Sequence, residues 1–344
     1  MQIKPFNTLL IAPFLLALVG CSDGQRLPNS FEEYQKRMFR VLSIKTDPIQ
    51  PQVNIDFPAV EQRRVTIPTV TIPLRDFYAI NGCELAPLIA QRNTALGKVE
   101  YPSRRIVYEA QLRDTLQNCI ALIEHDVDES EHNTVKSGLE NALIQKRLNF
   151  PMTWANLIQN SDSIRLGLSF DQRFVQGDET DGFIETTQAL QYLHNIKIGK
   201  SITHSEIERH LAHIEQFRLP ARLFRTTRYL MTGLTHVNAL LKDHNSDFIC
   251  ATAHDKKQIS IFKNVMSQFF IQELQPIASS TNRYAQVLLP LLTQLVEDKH
   301  INSAMKAFIQ NEMDIYDTYK QKFAAHVSEL QTLLNRCGLQ PSVQ

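Results

Sequence analysis

The stretch from Ser303 to Arg336 constrains this chain more than any other. Met305, Phe308, Ile315, Tyr319, Phe323, Val327, Leu330 and Leu334 recur at helical spacing with no proline among them, and Gly338 follows as a C-terminal stop. At 1.5 Å per residue such a helix is about 50 Å long. Helical patterning also covers 75–93 (irregular at Asn81-Gly82), 103–125, 130–149, a short piece at 151–158, and 183–197. Further helix is expected from Thr203 to about residue 244, bent at Pro220, then over 257–275 and 281–298, separated or kinked at Pro276. Long neighbouring helices joined by short links imply an all-α fold, an antiparallel bundle.

Two stretches depart from that pattern. Residues 46–74 carry Pro48, Pro51, Pro58, Pro68 and Pro73, which prevent a continuous helix. Val65 and Ile67, then Val70, Ile72 and Leu74, alternate with a period of two. An extended arm is expected, with short edge strands, packed on the helical body because its apolar residues would otherwise stay wet. The second departure is 159–182, expected as a loop in which Ile164, Leu166 and Leu168 form a strand.

The N-terminus is of another kind. Lys4 precedes an apolar run from Leu9 to Val19, broken only by Pro13. The run is too short to span a bilayer, which takes about 20 apolar residues, and its layout is that of a secretory signal. Leu18-Val19-Gly20-Cys21 resembles the bacterial lipobox. That resemblance implies cleavage before Cys21, a diacylglyceryl group on its sulfur and an acyl chain on its amine. Ser22, where Asp would retain the protein at the inner membrane, favours the periplasmic side of the outer membrane. The expected organisation is a signal peptide over 1–20, a tether over 21–30, and a single helical domain over 31–344 that includes the arm at 46–74. Ser30-Phe31-Glu32-Glu33 fits a capping box, so the first helix should run from Phe31 to about Ser43 with Tyr34, Met38, Val41 and Leu42 buried. Thr203-His204-Ser205-Glu206 is a second capping box.

Charge is balanced, with 36 Lys+Arg and 36 Asp+Glu. A chain without a basic footprint gives no case for nucleic acid. Glycine is scarce, at 11 residues, which argues against turn-rich β folds and phosphate-cradling loops. Beyond Cys21 the cysteines are Cys83, Cys119, Cys250 and Cys337. In an oxidising compartment an even number of thiols pairs, and four cysteines allow three connectivities. Cys119 lies on the buried stripe of its helix, one hairpin from Cys83. Cys250 precedes the 257–275 helix, and Cys337 ends the last helix, which a bundle can bring to one end. The expected bonds are Cys83–Cys119 and Cys250–Cys337.

Three constellations invite a chemical reading. Glu206, His210 and His213 stand at i, i+4 and i+7, a spacing that could present metal ligands on one helix face. The same face borders Ile207, Leu211 and Ile214, so it reads as the wet edge of an amphipathic helix, and no metal site is assigned. Arg218, Arg222 and Arg225 repeat the spacing, and guanidinium forks suit phosphate or carboxylate. They are the candidate anion site. Ser303-Ala304-Met305-Lys306 fits Ser-x-x-Lys but lacks its Lys-Thr-Gly and Ser-Asp-Asn companions. No catalytic residue and no cofactor is assigned, and Trp154 is expected as a core anchor.

Pro73-Leu74-Arg75-Asp76-Phe77, Cys83-Glu84-Leu85, Ala90-Gln91-Arg92-Asn93, Leu96-Gly97-Lys98 and Cys119 together resemble DUF3080, a family of uncharacterised lipoprotein-like proteins of gammaproteobacteria. The proline-rich arm and Trp154-Ala155-Asn156 fit it too. The resemblance is clearest over 60–160 and extends over the mature chain. It implies location and helical class, and carries no activity or catalytic residue with it. The functional expectation is a lipid-anchored envelope protein with a non-enzymatic binding or structural role. It would touch the membrane through Cys21, and a protein or an anionic envelope ligand through its body. The alternative is a periplasmic hydrolase or glycan-processing enzyme.

Overall fold

The computed structural model describes residues 25–72, 82–93, 101–124, 129–197, 202–244 and 250–339. Cys21, the lipobox and Leu74 lie outside them. Every regular element among the described residues is helical. In order these are α1 (Arg26–Val41), α2 (Val60–Arg63), α3 (Leu85–Asn93), α4 (Pro102–Glu124), α5 (Glu129–Asn160), α6 (Asp162–Ser169), α7 (Phe183–Lys197), α8 (His204–Phe217) and α9 (Leu219–His244). They continue with α10 (Ala253–Val265), a π-helical stretch (Met266–Leu274), α11 (Gln275–Val296) and α12 (Ser303–Arg336).

Helix α1 begins inside the stretch expected as tether. Leu27 and Pro28 are buried in its first turn, where a proline costs no helical hydrogen bond. Ser30 is therefore an interior residue, and its hydroxyl donates to Glu273 at 3.4 Å. Four residues, 22–25, remain between Cys21 and α1.

The two pieces expected at 130–149 and 151–158 are one helix, α5, which runs through Pro151. An interior proline costs about 3 kcal/mol. Burial of Phe150, Trp154, Ala155, Leu157 and Ile158 around it offsets that. The expected strand at 164–168 is helix α6. Ile164 and Leu168, four apart, are both buried, while Leu166 between them is only half-buried. An alternation over so few residues does not separate strand from helix. Gly167 lets α6 cross α8 closely, since a Cβ there would sit 2.9 Å from the Ile214 carbonyl oxygen.

The break between α8 and α9 falls at Arg218, in the left-handed region with φ 47°, and not at Pro220, which sits in the first turn of α9. Pro276 does not interrupt the later run. Its missing N–H is met by a change of register, with the Gln275 N–H reaching back five residues to Phe270.

Helices α4 and α5 form an antiparallel hairpin, bridged by Lys146 to Glu109 at 3.0 Å and Arg147 to Gln117 at 3.0 Å. The longest pair behaves differently. Arg228 meets Glu312 and Asn238 meets the Lys322 carbonyl, both 84 residues apart in sequence, so α9 and α12 run parallel. That direction places the residues after both helices at one end. Cys250 and Cys337 meet there with Cα atoms 5.4 Å apart, and Cys83 and Cys119 stand at 5.3 Å. Both expected pairs are thus at disulfide distance, the second through a parallel pair rather than the antiparallel ends anticipated.

The arm at 46–72 lies on the body as a single extended ribbon. Alternate residues point inward: Val53, Ile55, Phe57, Val65, Val70 and Ile72 pack on three successive apolar clusters. No strand partners it among the described residues, and side-chain amides take that place. The Gln35 amide donates to the Ile49 carbonyl at 2.9 Å and accepts from its N–H at 3.1 Å. Asn156 does the same for Val65, at 2.8 and 2.9 Å. Asn149 donates to the Pro68 carbonyl at 3.0 Å and Asn302 to that of Gln62 at 3.1 Å. These contacts meet the demand of partly buried backbone for hydrogen-bond partners. The one regular element in the arm is α2, whose buried Arg63 donates to the carbonyls of Pro58 and Gln159 and lies over Phe57.

Candidate functional site

The three arginines proposed from spacing do not converge. Arg218 terminates α8 in a left-handed conformation and so falls out of the α9 register. Its guanidinium donates to the carbonyls of Glu215 at 2.9 Å and Phe170 at 3.0 Å. Arg222 is buried and paired with Glu179, and also donates to the Phe174 carbonyl at 3.0 Å. Arg225 stacks over Phe174 at 4.7 Å, and burial lowers its pKa. Arg218 and Arg173 line an open groove of about 460 Å³ with Glu215, but Arg173 is held by Asp171 at 2.6 Å. These cations fasten the 170–182 loop to the body, and they do not present a common anion-binding surface.

On the acid–imidazole stripe of α8, Glu206 is taken up by the helix cap, while Nδ1 of His210 and Nδ1 of His213 are buried without a hydrogen-bond partner. Glu206 accepts from the Thr203 hydroxyl at 2.8 Å while its N–H donates to that oxygen, so it serves the cap. His210 stacks on Tyr192 with ring centroids 4.2 Å apart, and burial, with Arg209 and His213 beside it, lowers its pKa. Among the described residues no three His, Cys, Asp or Glu side chains are grouped as metal ligands. Ser303 opens α12 at an exposed position. Trp154 is fully buried, and its indole N–H donates to the Leu193 carbonyl at 2.7 Å, as a core anchor should.

The chemically richest cluster was not singled out in the sequence. His326 is fully buried, and its Nδ1 lies 2.7 Å from Asn238 Oδ1 while its Nε2 lies 2.8 Å from the Tyr34 hydroxyl. The Asn238 amide nitrogen donates to the Lys322 carbonyl, so its oxygen must accept. That assigns the proton to Nδ1 and makes Nε2 the acceptor for Tyr34. Burial drops the His326 pKa to about 3 and raises that of the Tyr34 hydroxyl. A Tyr–His–Asn chain can relay protons in an open cleft. Here both rings are inaccessible, packed against Phe270, and the chain ties α1 to α9 and α12. About four turns earlier on α12, Glu312 is buried against Arg228, and burial raises its pKa.

Sequence spacing held a signal for both groups. Residues 305, 308, 312, 319, 326 and 330 fall on one face of α12, so Glu312 and His326 lie within the apolar stripe.

No helix among the described residues is long and apolar enough to cross a membrane. Comparison with curated proteins and with solved structures found no match. The family model DUF3080, described as a protein of unknown function, matches residues 31–341, nearly all of the chain, and the chain belongs to that family.

Proposed function

We propose that this protein is a lipid-anchored component of the bacterial envelope, held through acylated Cys21 at the periplasmic side of the outer membrane, with a binding or structural role rather than an enzymatic one. The observation that carries this reading is Leu18-Val19-Gly20-Cys21 at the end of a short apolar run. Three acyl chains make a stable anchor where one would bind only marginally. The two cysteine pairs at disulfide distance suit an oxidising compartment. The non-enzymatic role is supported by where the reactive groups sit. Tyr34 and His326 are buried against each other, Glu312 against Arg228, and Arg222 against Glu179 and the Phe174 carbonyl.

Radiolabelled palmitate tests the anchor. The wild type should take up label and Cys21→Ser should not, with the variant accumulating as uncleaved precursor. Equal labelling of the two would contradict the reading.

A further inference from the structure

The start of α1 fixes more than the length of the tether. Five Cα-to-Cα steps separate Cys21 from Arg26, and a fully extended chain covers about 17 Å in that number. An α-helix with its side chains is about 10 Å across. Given the anchor proposed above, the bilayer surface must lie within two helix widths of Arg26.

Helix α1 cannot swing away to lengthen that reach. Leu27 and Phe31 are fully buried in its first turns. The Phe31 ring lies over Gly233 so closely that a Cβ on Gly233 would overlap the ring carbons. Tyr34 is held by His326 at 2.8 Å. The body, not a free stalk, is therefore what the anchor draws to the membrane.

The contacts of α1 identify which surface that is. Arg26 lies 3.9 Å from Glu273, Arg37 sits over Phe269 at 5.3 Å, and Gln258 donates to the Val41 carbonyl. Helix α1 thus runs antiparallel to α10 and the π-helical stretch, and Glu273, at the end of that stretch, lies beside the anchor exit. The π-helical stretch leaves Ile271 44% exposed and Phe269 half-exposed. Beside the stretch α1 carries Arg26, Lys36, Arg37 and Arg40, of which the first three pair with Glu273, Glu32 and Glu33, an excess of one cation.

We propose that the flank formed by α1 and the π-helical stretch is the membrane-apposed face of this protein, with Ile271 meeting the headgroup region. The occupant is the bilayer that carries the anchor, and the proposal rests on acylation of Cys21. An exposed apolar side chain within reach of the anchor is the kind of group that the headgroup region takes up.

The test uses the mature lipidated protein in vesicles of phosphatidylethanolamine and phosphatidylglycerol, with and without brominated acyl chains. Bromine quenches indole fluorescence only at short range. The native Trp154 is buried and should not respond. Ile271→Trp adds an indole on the proposed face, and Leu122→Trp adds one at an exposed site on α4. Both positions are solvent-exposed, so neither substitution removes core packing. We expect brominated lipid to quench most of the emission added by Ile271→Trp and little of that added by Leu122→Trp. Vesicle-bound protein in which Ile271→Trp stays bright, or in which Leu122→Trp is quenched as strongly, overturns the proposed face while leaving the anchor intact. Protein that carries no acyl chain and does not float with vesicles removes the anchor and this proposal with it.

Discussion

Asn156 on α5 grips the backbone of Val65 at both ends of one amide. Its Nδ2 donates to the Val65 carbonyl at 2.8 Å, and its Oδ1 accepts from the Val65 N–H at 2.9 Å. A strand neighbour would supply the same donor and acceptor. The proline-rich arm thereby lies ordered on a helical surface without a sheet. Asn156→Ala removes both bonds and leaves two partly buried backbone groups unmet, which costs about 1–3 kcal/mol. Limited proteolysis should cut the variant between residues 60 and 72 several times faster than the wild type. An unchanged cleavage rate would show that apolar packing alone holds the arm.

The cysteine pairs differ in what places them. Cys83 lies just before α3, and Cys119 lies in the neighbouring α4. Cys250 and Cys337 meet because α9 and α12 run parallel and end together. The loops closed span 36 and 87 residues, for which the chain-entropy model gives roughly 4 kcal/mol each. Non-reducing peptide mapping should recover both linkages, and Cys337→Ala should lower stability by an amount of that order. Recovery of Cys83 joined to Cys250 or Cys337 would refute the pairing.

His326 gives the fold a pH dependence of definite sign. Its folded pKa, about 3, lies far below the ~6.5 of an exposed imidazole, so unfolding in mild acid takes up a proton. The stabilisation from the neutral ring is complete above about pH 6.5. It is lost as pH falls toward 3, at up to ~1.4 kcal/mol per unit. Glu312 acts with the opposite sign, since burial raises its pKa and the folded state holds its proton longer. His210, also lowered, acts in the same sense as His326. Comparing wild type with His326→Gln isolates the one ring. Between pH 7 and 5 the melting temperature of the wild type should fall more steeply than that of the variant. Parallel curves would mean that His326 is not held neutral in the folded protein.

Much of the architecture could be read from residue spacing. The stripe of α12, the arm and both cysteine pairs follow from period, proline placement and an even number of cysteines beyond Cys21. What escaped was set by tertiary contact. Pro151 stays inside a helix because Trp154 and its neighbours are buried around it, and α6 is helical because Gly167 fits against Ile214. Arg218, Arg222 and Arg225 looked like one face because spacing assumes one continuous helix, and the left-handed residue at 218 breaks that register. His326 was overlooked because a single polar residue within an apolar stripe does not disturb its period, although it forms the contact that seats α1.

The most direct test of the anchored reading is the intact mass of the native protein extracted from membranes, with a fragment spectrum of its N-terminal peptide. The account predicts a chain that begins at Cys21 and carries a diacylglyceryl group on sulfur and an acyl chain on the amine. An N-terminal peptide that includes an unmodified Cys21, or a mature chain that begins beyond it, would contradict the account.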